Sequence, residues 1–334
     1  MDFIEEYQNI SRSIMRLSRA IVSRSLLRQE QSLQGILNRY LPMDETSEYV
    51  YIFMVCYGGV RGERFRRIKK ISAAINLLQA STFIIDDVLD ESTMRYDEAT
   101  IWSEYGTGTG ITSGHLMETI AVETMINQVA KEFPSQSFFV LRTVNEIIKD
   151  VYRGQNLDIA LSGSRNLSLF NYKRMIGFTT GNFFKAVARL GWRLGKRNNS
   201  VGDALERFAY WYGMALQVSD DIIDIEGSPI LTGKDFAVDL KKMRPRLPII
   251  LGLQTHARKD LTKLLFSLRA GDNGLKLQAI RALLEKSGAI EKCIGFARRY
   301  VKNAQDALRG LPKGQMRERF EALLGNLLRN QLLE

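Results

Sequence analysis

Residues Ile68–Arg95, IKKISAAINLLQASTFIIDDVLDESTMR, hold the stretch on which the fold turns. Ile71, Ala74, Ile75, Leu78, Thr82, Phe83, Ile85 and Leu89 return at helical spacing, which predicts one helix ending in Asp86-Asp87-Val88-Leu89-Asp90. Residues four apart share a helix face, so Asp86 and Asp90 stand side by side. Adjacent carboxylates at an apolar helix end repel unless a cation lies between them, and oxygen-only donors select Mg²⁺ over zinc. Gln217–Asp224, QVSDDIID, repeats the device at the end of an apolar run that starts near Ala204. One D-D-x-x-D is weak evidence; two copies are much stronger. Basic residues follow each: Arg95 after the first, and Lys234, Lys241, Lys242 and Arg244 after the second. The competing reading is a pair of solvated acidic helix ends.

Outward from these motifs, the chain is long enough, at 334 residues, for a large buried core, and its six prolines favour long helices over a turn-rich sheet protein. One domain is expected over 1–334, with 1–20 as an N-terminal extension. Cys56 and Cys293 offer no disulfide framework, and the acidic start Met1–Glu6 is unlike a signal peptide, so a cytoplasmic location is expected. The most apolar window, Tyr49–Val60, is too short to cross a bilayer, and no other run is expected to reach the length. A net charge of +10 raises nucleic acid, anionic membrane or an anionic substrate as partners. The cations are spread along amphipathic helices with no nucleic-acid module, which reads as solvated faces with at most weak membrane-surface association.

Residues 1–40 alternate basic and apolar positions at helical spacing up to the stop Leu41-Pro42, and a helix is expected over 48–57, closed by Gly58-Gly59. Tyr96–Gly114, with Gly106, Gly108 and Gly110, reads as a flexible connection over the site. Helices are predicted over 115–131, 136–161, 170–192, 203–225, 246–268, 275–286, 289–307 and 314–331. The expected architecture is therefore all-α: a bundle of about ten or more helices around a deep central cavity with both aspartate clusters at its mouth. Gly177-Phe178-Thr179-Thr180-Gly181 predicts a kink, either neutral or offering freed carbonyls to the cavity.

Asp86, Asp90, Asp220 and Asp224 are the candidate metal ligands, and a diphosphate is the natural companion of Mg²⁺, its remaining oxygens taken by Arg95, Lys234 and Arg244. Departure of a diphosphate from an allylic carbon leaves a carbocation, which needs a dry cavity; Phe83, Phe178, Phe183 and Phe184 are candidates to line it.

From about residue 20 onward the chain resembles the all-trans isoprenyl diphosphate synthases, which have the class I isoprenoid synthase fold. The matching segments are Asp86-Asp87-x-x-Asp90 with Arg95, Asp220-Asp221-x-x-Asp224 with Gln217, Gly154-Gln155-Asn156-Leu157-Asp158, and Gly233-Lys234 with Asp239. The resemblance implies three Mg²⁺ ions, a prenyl diphosphate substrate and a homodimer. It places Asp87, Asp221, Gln217, Thr179 and Thr180 among the catalytic residues, and Gln155, Asp158, Gln79, Thr82 and Phe83 among the substrate contacts.

Three cationic elements of the family are missing here, two of them ligands of the acceptor, isopentenyl diphosphate. The basic G-G-K-x-x-R segment is Leu41-Pro42-Met43-Asp44-Glu45-Thr46 and the second Arg of the R-R pair is Tyr96, while the K-T kink, whose lysine binds the allylic diphosphate in the family, is Thr179-Thr180. Gly62–Arg66 has a similar composition but precedes Asp86 by about 30 Å of helix. Loss of these cations leaves a charged acceptor uncompensated. The sequence is therefore read as a terpene synthase (a lyase) that ionises a prenyl diphosphate and cyclises it, with twenty carbons or more favoured by the small residues Ser72, Ser81, Thr82, Ala209 and Gly213 below the motifs. The alternatives are a prenyltransferase, elongating or using another acceptor, and a non-catalytic partner subunit.

Overall fold

The computed structural model describes residues 3–27, 29–43, 45, 47–162, 167–226, 244, 246–268 and 274–330. Helices follow in the order α1 (Phe3–Ser25), α2 (Gln31–Asn38), α3 (Glu48–Tyr57) and α4 (Gly62–Asp90). A two-strand hairpin, β1 (Met94–Arg95) and β2 (Glu98–Ala99), leads to α5 (Ile101–Glu132), a 3₁₀ turn (Pro134–Gln136) and α6 (Ser137–Leu161). Next come α7 (Leu169–Ile176), a π-helical turn (Gly177–Gly181), α8 (Asn182–Leu194) and α9 (Asn199–Glu226). The last helices are α10 (Leu247–Gly252), α11 (Arg258–Ser267), α12 (Gly274–Lys286), α13 (Ala289–Leu308) and α14 (Gln315–Asn330). Among the described residues the architecture is all-α apart from the hairpin.

α4 packs against α1, α3 and α5, and α9 against α8 and α13. The middle of α4 is buried all round, with Ile71, Ala73, Ala74, Ile75, Leu77 and Leu78 at most 3 % exposed. This helix corrects one expectation: it is long and apolar enough to cross a bilayer, but 72 % of its apolar window lies inside the bundle, so here it is a core helix. α3 is likewise buried from Tyr49 to Tyr57. Its N-terminus is capped by Ser47, whose hydroxyl accepts from the Val50 amide, and it ends at Gly58 with φ 78°.

The segment Tyr96–Gly114 is not a flexible connection. Tyr96 and Asp97, with φ of 53° and 59°, form the turn of the hairpin, and both left-handed positions match a two-residue primed turn. The helix then runs from Ile101, with its break at Gly106 (φ 85°). Low glycine propensity suggested a loop, but packing overrides it. A β-carbon on Gly110 would lie 2.5 Å from Val88, and one on Gly114 2.5 Å from Ile85, so these glycines let α5 close onto α4.

Other boundaries also differ. Residues 1–40 contain two helices, 246–268 divide into α10 and α11, and 170–192 contain the π-helical turn where the kink was predicted. A β-carbon on Gly181 would stand 2.8 Å from the Tyr210 ring, and one on Gly177 3.2 Å from its hydroxyl. The extra residue of the π turn is thus accommodated by an aromatic side chain from α9.

Candidate active site

The two aspartate motifs occupy the last turns of α4 and α9. Within each, the three carboxylates divide into two roles. Asp86, Asp90, Asp220 and Asp224 are partly exposed, whereas Asp87 and Asp221 are buried at 1 % exposure. Asp87 accepts two hydrogen bonds from Arg95, Nε to Oδ2 at 2.8 Å and Nη2 to Oδ1 at 2.7 Å, and a third from the Tyr40 hydroxyl at 2.6 Å. The hairpin turn brings Arg95 back onto the helix it follows. Asp221 accepts from the Tyr172 hydroxyl at 2.7 Å, the Leu247 amide at 3.0 Å and Gln217 Nε2 at 3.3 Å. Burial pushes the Asp221 carboxyl up to about 6. Neither Tyr40 nor Tyr172 was visible in the sequence as a site residue, because an isolated tyrosine in an apolar helical pattern carries no motif.

Burial also pushes the Asp86 carboxyl up to about 6, opposed by Arg95 and reinforced by Asp87. Asp86 accepts a hydrogen bond from Gln155 of α6. One turn on, Arg244 is 4 % exposed and bridges Asp90 and Asp158, with a further bond to the Leu89 carbonyl at 2.9 Å. Residues far apart in sequence therefore meet here. Gly154 makes the meeting possible, because a β-carbon there would stand 2.4 Å from Thr179 in the π turn. Within that turn the Thr180 hydroxyl donates to Gln217 Oε1 at 2.9 Å, and the Thr179 hydroxyl donates to the Met175 carbonyl at 3.2 Å. Lys234 and Asp239 lie outside the described residues, as do Lys241 and Lys242.

Burial raises the pKa of the Tyr49 phenol on α3, reinforced by Glu48 and, from the two motifs, by Asp220 and Asp86. The Tyr49 ring stacks on Phe184 at 3.9 Å and lies tilted against Phe183 at 4.2 Å, and Phe184 meets Tyr212 edge-on at 5.4 Å. This wall corrects the expected cavity lining. Phe183 and Phe184 are at most 2 % exposed within the stack, and Phe83 carries the Arg95 guanidinium 4.7 Å over its ring. Phe178 is half-buried in the π turn. The depth expected below the second motif is corrected as well, because a β-carbon on Gly213 would lie 2.5 Å from Phe184, whose ring fills that room. On the α4 side, Thr82 is half-buried and its hydroxyl donates to the Gln79 carbonyl at 2.7 Å.

The side of the site reached by α3 and the hairpin carries Ser47, Glu48, Gln79 and Tyr96. The Ser47 hydroxyl donates to Gln79 Oε1 at 2.7 Å. Burial raises the Glu48 carboxyl, and burial with nearby Glu45, Asp87 and Glu48 takes the Tyr96 phenol up to about 12 against the pull of Arg95. Asp44 and Thr46 lie outside the described residues.

Among the described residues no three His, Cys, Asp or Glu side chains converge as a ready-made metal cage. The outer aspartates instead present pairs of oxygen donors, and an ion that keeps one or two carboxylates and takes its other ligands from phosphate oxygens fits that arrangement.

Residues 44–283 match the family model described as polyprenyl synthetase. The geranylfarnesyl diphosphate synthase of Aeropyrum pernix is 25 % identical over 76 % of this chain and 79 % of its own. The octaprenyl diphosphate synthase of Escherichia coli is 25 % identical over 76 % of each chain. The fold matches the geranylgeranyl pyrophosphate synthase of Corynebacterium glutamicum, crystallised with isoprenyl diphosphate and magnesium, at a TM-score of 0.85 over the full length of both chains and 17 % identity. These names correct the cyclase expectation. The relatives are synthases of prenyl diphosphates, which is the chemistry of a transferase and not of a lyase. Weight given to missing acceptor cations misled the sequence reading, since those positions bear on the acceptor and not on the fate of the cation.

Proposed function

The chain belongs to the polyprenyl synthetase family, and from that premise we propose that it is a prenyltransferase acting on an allylic prenyl diphosphate. The observation that carries this is the pair of helix ends, Asp86 with Asp90 and Asp220 with Asp224, both within electrostatic reach of one buried phenol, Tyr49. In the proposed reaction the C1–O bond breaks with its electron pair going to diphosphate. The acceptor alkene supplies the pair for the new C–C bond, and a proton passes from the adjacent carbon to an oxygen of the released diphosphate, which restores an alkene. Asp86, Asp90, Asp220 and Asp224 would hold divalent cations, three Mg²⁺ by resemblance, which would supply charge neutralisation for the diphosphate. Arg244 is placed to pass from its carboxylate partners to diphosphate oxygens, and Gln155 orients Asp86. The packed wall of Tyr49, Phe183 and Phe184 excludes water from that side of the site.

Elongation with isopentenyl diphosphate is the first reading of the acceptor, supported by the relatives' names. One observation favours a second, an acceptor without a diphosphate: the acceptor side presents Ser47, Glu48, Gln79 and Tyr96, and Arg95 beside them is committed to Asp87. Purified enzyme with Mg²⁺ and allylic diphosphates of increasing length, with and without isopentenyl diphosphate, tests both. Longer prenyl diphosphates that appear only with isopentenyl diphosphate support elongation. Release of diphosphate and a hydrocarbon at the same rate without any acceptor refutes prenyl transfer.

We also propose a homodimer through the outer sides of α5 and α6, where Ile111 (41 %), Ile126 (42 %) and Phe138 (80 %) are exposed. Light scattering that finds a monomer at micromolar concentration refutes it.

A further inference from the structure

The last turns of α4 and α6 meet at one guanidinium. Arg244 Nη2 donates to Asp90 Oδ1 and, at 2.9 Å, to the Leu89 carbonyl, while Nη1 donates to Asp158 Oδ2. The side chain is 4 % exposed, so these bonds form out of water. Asp86, the other outer carboxylate of α4, takes its bond from the neutral Gln155. Asp90 is therefore the one hydrogen-bonded to a full charge. The fit around that charge is incomplete: Arg244 Nε and Asp158 Oδ1 are buried with no hydrogen-bond partner among the described residues. A guanidinium carries N–H donors on all three nitrogens, and a buried donor left unpaired is costly, so this pose does not satisfy the side chain. The backbone that follows is tied down, with the Arg246 amide donating to the Arg244 carbonyl at 2.8 Å and the Leu247 amide to Asp221 Oδ2 at 3.0 Å. The long side chain is the part that can change partners.

We propose that Arg244 is an autoinhibitory counter-cation: it holds Asp90 against free divalent cations and gives that carboxylate up only when a diphosphate arrives to take its fork. A cation on Asp90 would share the carboxylate with the guanidinium bonded to it, and like charges that close repel strongly away from bulk water. A diphosphate removes the conflict, because its oxygens match the guanidinium in pairs and engage the bare Nε as well. Cation and diphosphate then enter together, and each raises the affinity for the other. The inference rests on reading Asp86 and Asp90 as cation ligands, and goes beyond it by giving Arg244 opposite effects on the two ligands.

The test measures two affinities: Mn²⁺ for the substrate-free protein, from the electron paramagnetic resonance of the free ion, and inorganic diphosphate in excess Mg²⁺, by calorimetry. Arg244→Gln removes the charge, and Arg153→Gln, at an exposed position of α6, controls for the loss of one positive charge. Arg244→Gln should bind Mn²⁺ about tenfold more tightly than wild type, the scale of one charge-assisted contact, and diphosphate about tenfold more weakly. The gain in Mn²⁺ affinity should vanish when Asp90→Asn is added. If Arg244→Gln does not fold, Arg244→Lys takes its place, since a point charge cannot fork between Asp90 and Asp158, with smaller shifts in the same two directions. Mn²⁺ affinity that is unchanged or lowered in Arg244→Gln, raised no more than in Arg153→Gln, or still raised with Asp90→Asn overturns the inference and leaves the cation site standing. No Mn²⁺ binding by any form, with diphosphate present as well, overturns the cation reading and the inference with it.

Discussion

The two aspartate motifs have the same spelling but are fastened differently. At the end of α4 the inner carboxylate, Asp87, is held by a charged fork from Arg95 together with the Tyr40 hydroxyl. At the end of α9 the inner carboxylate, Asp221, is held by neutral donors: a tyrosine hydroxyl, a backbone amide and a glutamine. Asp87 takes its hydrogen bonds from an opposite charge and a hydroxyl, whereas Asp221 takes those named above from dipoles and feels the charge of Arg246 besides; burial outweighs these and leaves the Asp221 pKa raised. The comparison teaches that a D-D-x-x-D string carries two jobs: its outer carboxylates face ligands and its inner one anchors the helix end.

If that division is right, the outer positions govern turnover most strongly. Asp86→Asn or Asp220→Asn should lower kcat on the order of 10³-fold while the circular dichroism spectrum stays helical. Retention of near wild-type turnover by either variant breaks the comparison at its base. Next in size is the charged fastening. Arg95→Leu leaves Asp87 buried with only Tyr40, which should cost about 3–5 kcal/mol in urea denaturation. A loss below about 1 kcal/mol would mean that Asp87 finds compensation elsewhere.

The neutral fastening predicts a pH dependence. A buried Asp221 whose folded pKa is near 6, above the ordinary 3.8, favours the protonated folded state. Its contribution is therefore fully present below pH ~4 and is lost as pH rises through about 6. Asp86, also near 6, acts in the same direction, so the metal-free protein should lose on the order of 1–3 kcal/mol between those limits. Asp221→Asn should flatten part of that slope, and an unchanged slope in this variant removes Asp221 from the account. The smallest effect sharpens the contrast. Tyr172→Phe should cost about 1.5–3 kcal/mol, because a charged acceptor loses a main donor, whereas Tyr40→Phe should cost about 1 kcal/mol or less with Arg95 still in place. Equal losses would show the two anchors to be equivalent.

Much of this was legible in the sequence because it rests on short-range spacing. The helix ending in Asp90, the break at Gly58, the kink at Gly177–Gly181 and the all-α class each follow from periodicity or a local breaker. What was not legible depends on partners distant in sequence. Gly110 and Gly114 look like loop residues until α4 is set against them, and Gly213 looks like empty space until Phe184 of α8 fills it. The anchoring of Asp87 and Asp221 is invisible until Tyr40, from the turn after α2, and Tyr172, from α7, are set against them. The acceptor side was misjudged for a different reason: losing cations at Met43 and Tyr96 says what cannot be bound easily, and nothing about which bond forms next.

Both acidic clusters terminate helices, of 29 residues for α4 and 28 for α9. The aligned peptide dipoles of a helix place roughly half an elementary negative charge at its C-terminus. Each cluster thus sits in a field of its own sign, supplied by backbone that no side-chain substitution removes. At the end of α4 the guanidinium of Arg244, bonded to the Leu89 carbonyl, answers part of that field. A fold that gathers negative potential in this way is under tension until a positive species arrives, so cation uptake and conformational stability become thermodynamically linked. Under the proposed function, thermal midpoint and cation concentration should report on one equilibrium, so a melt titrated with Mg²⁺ reads both.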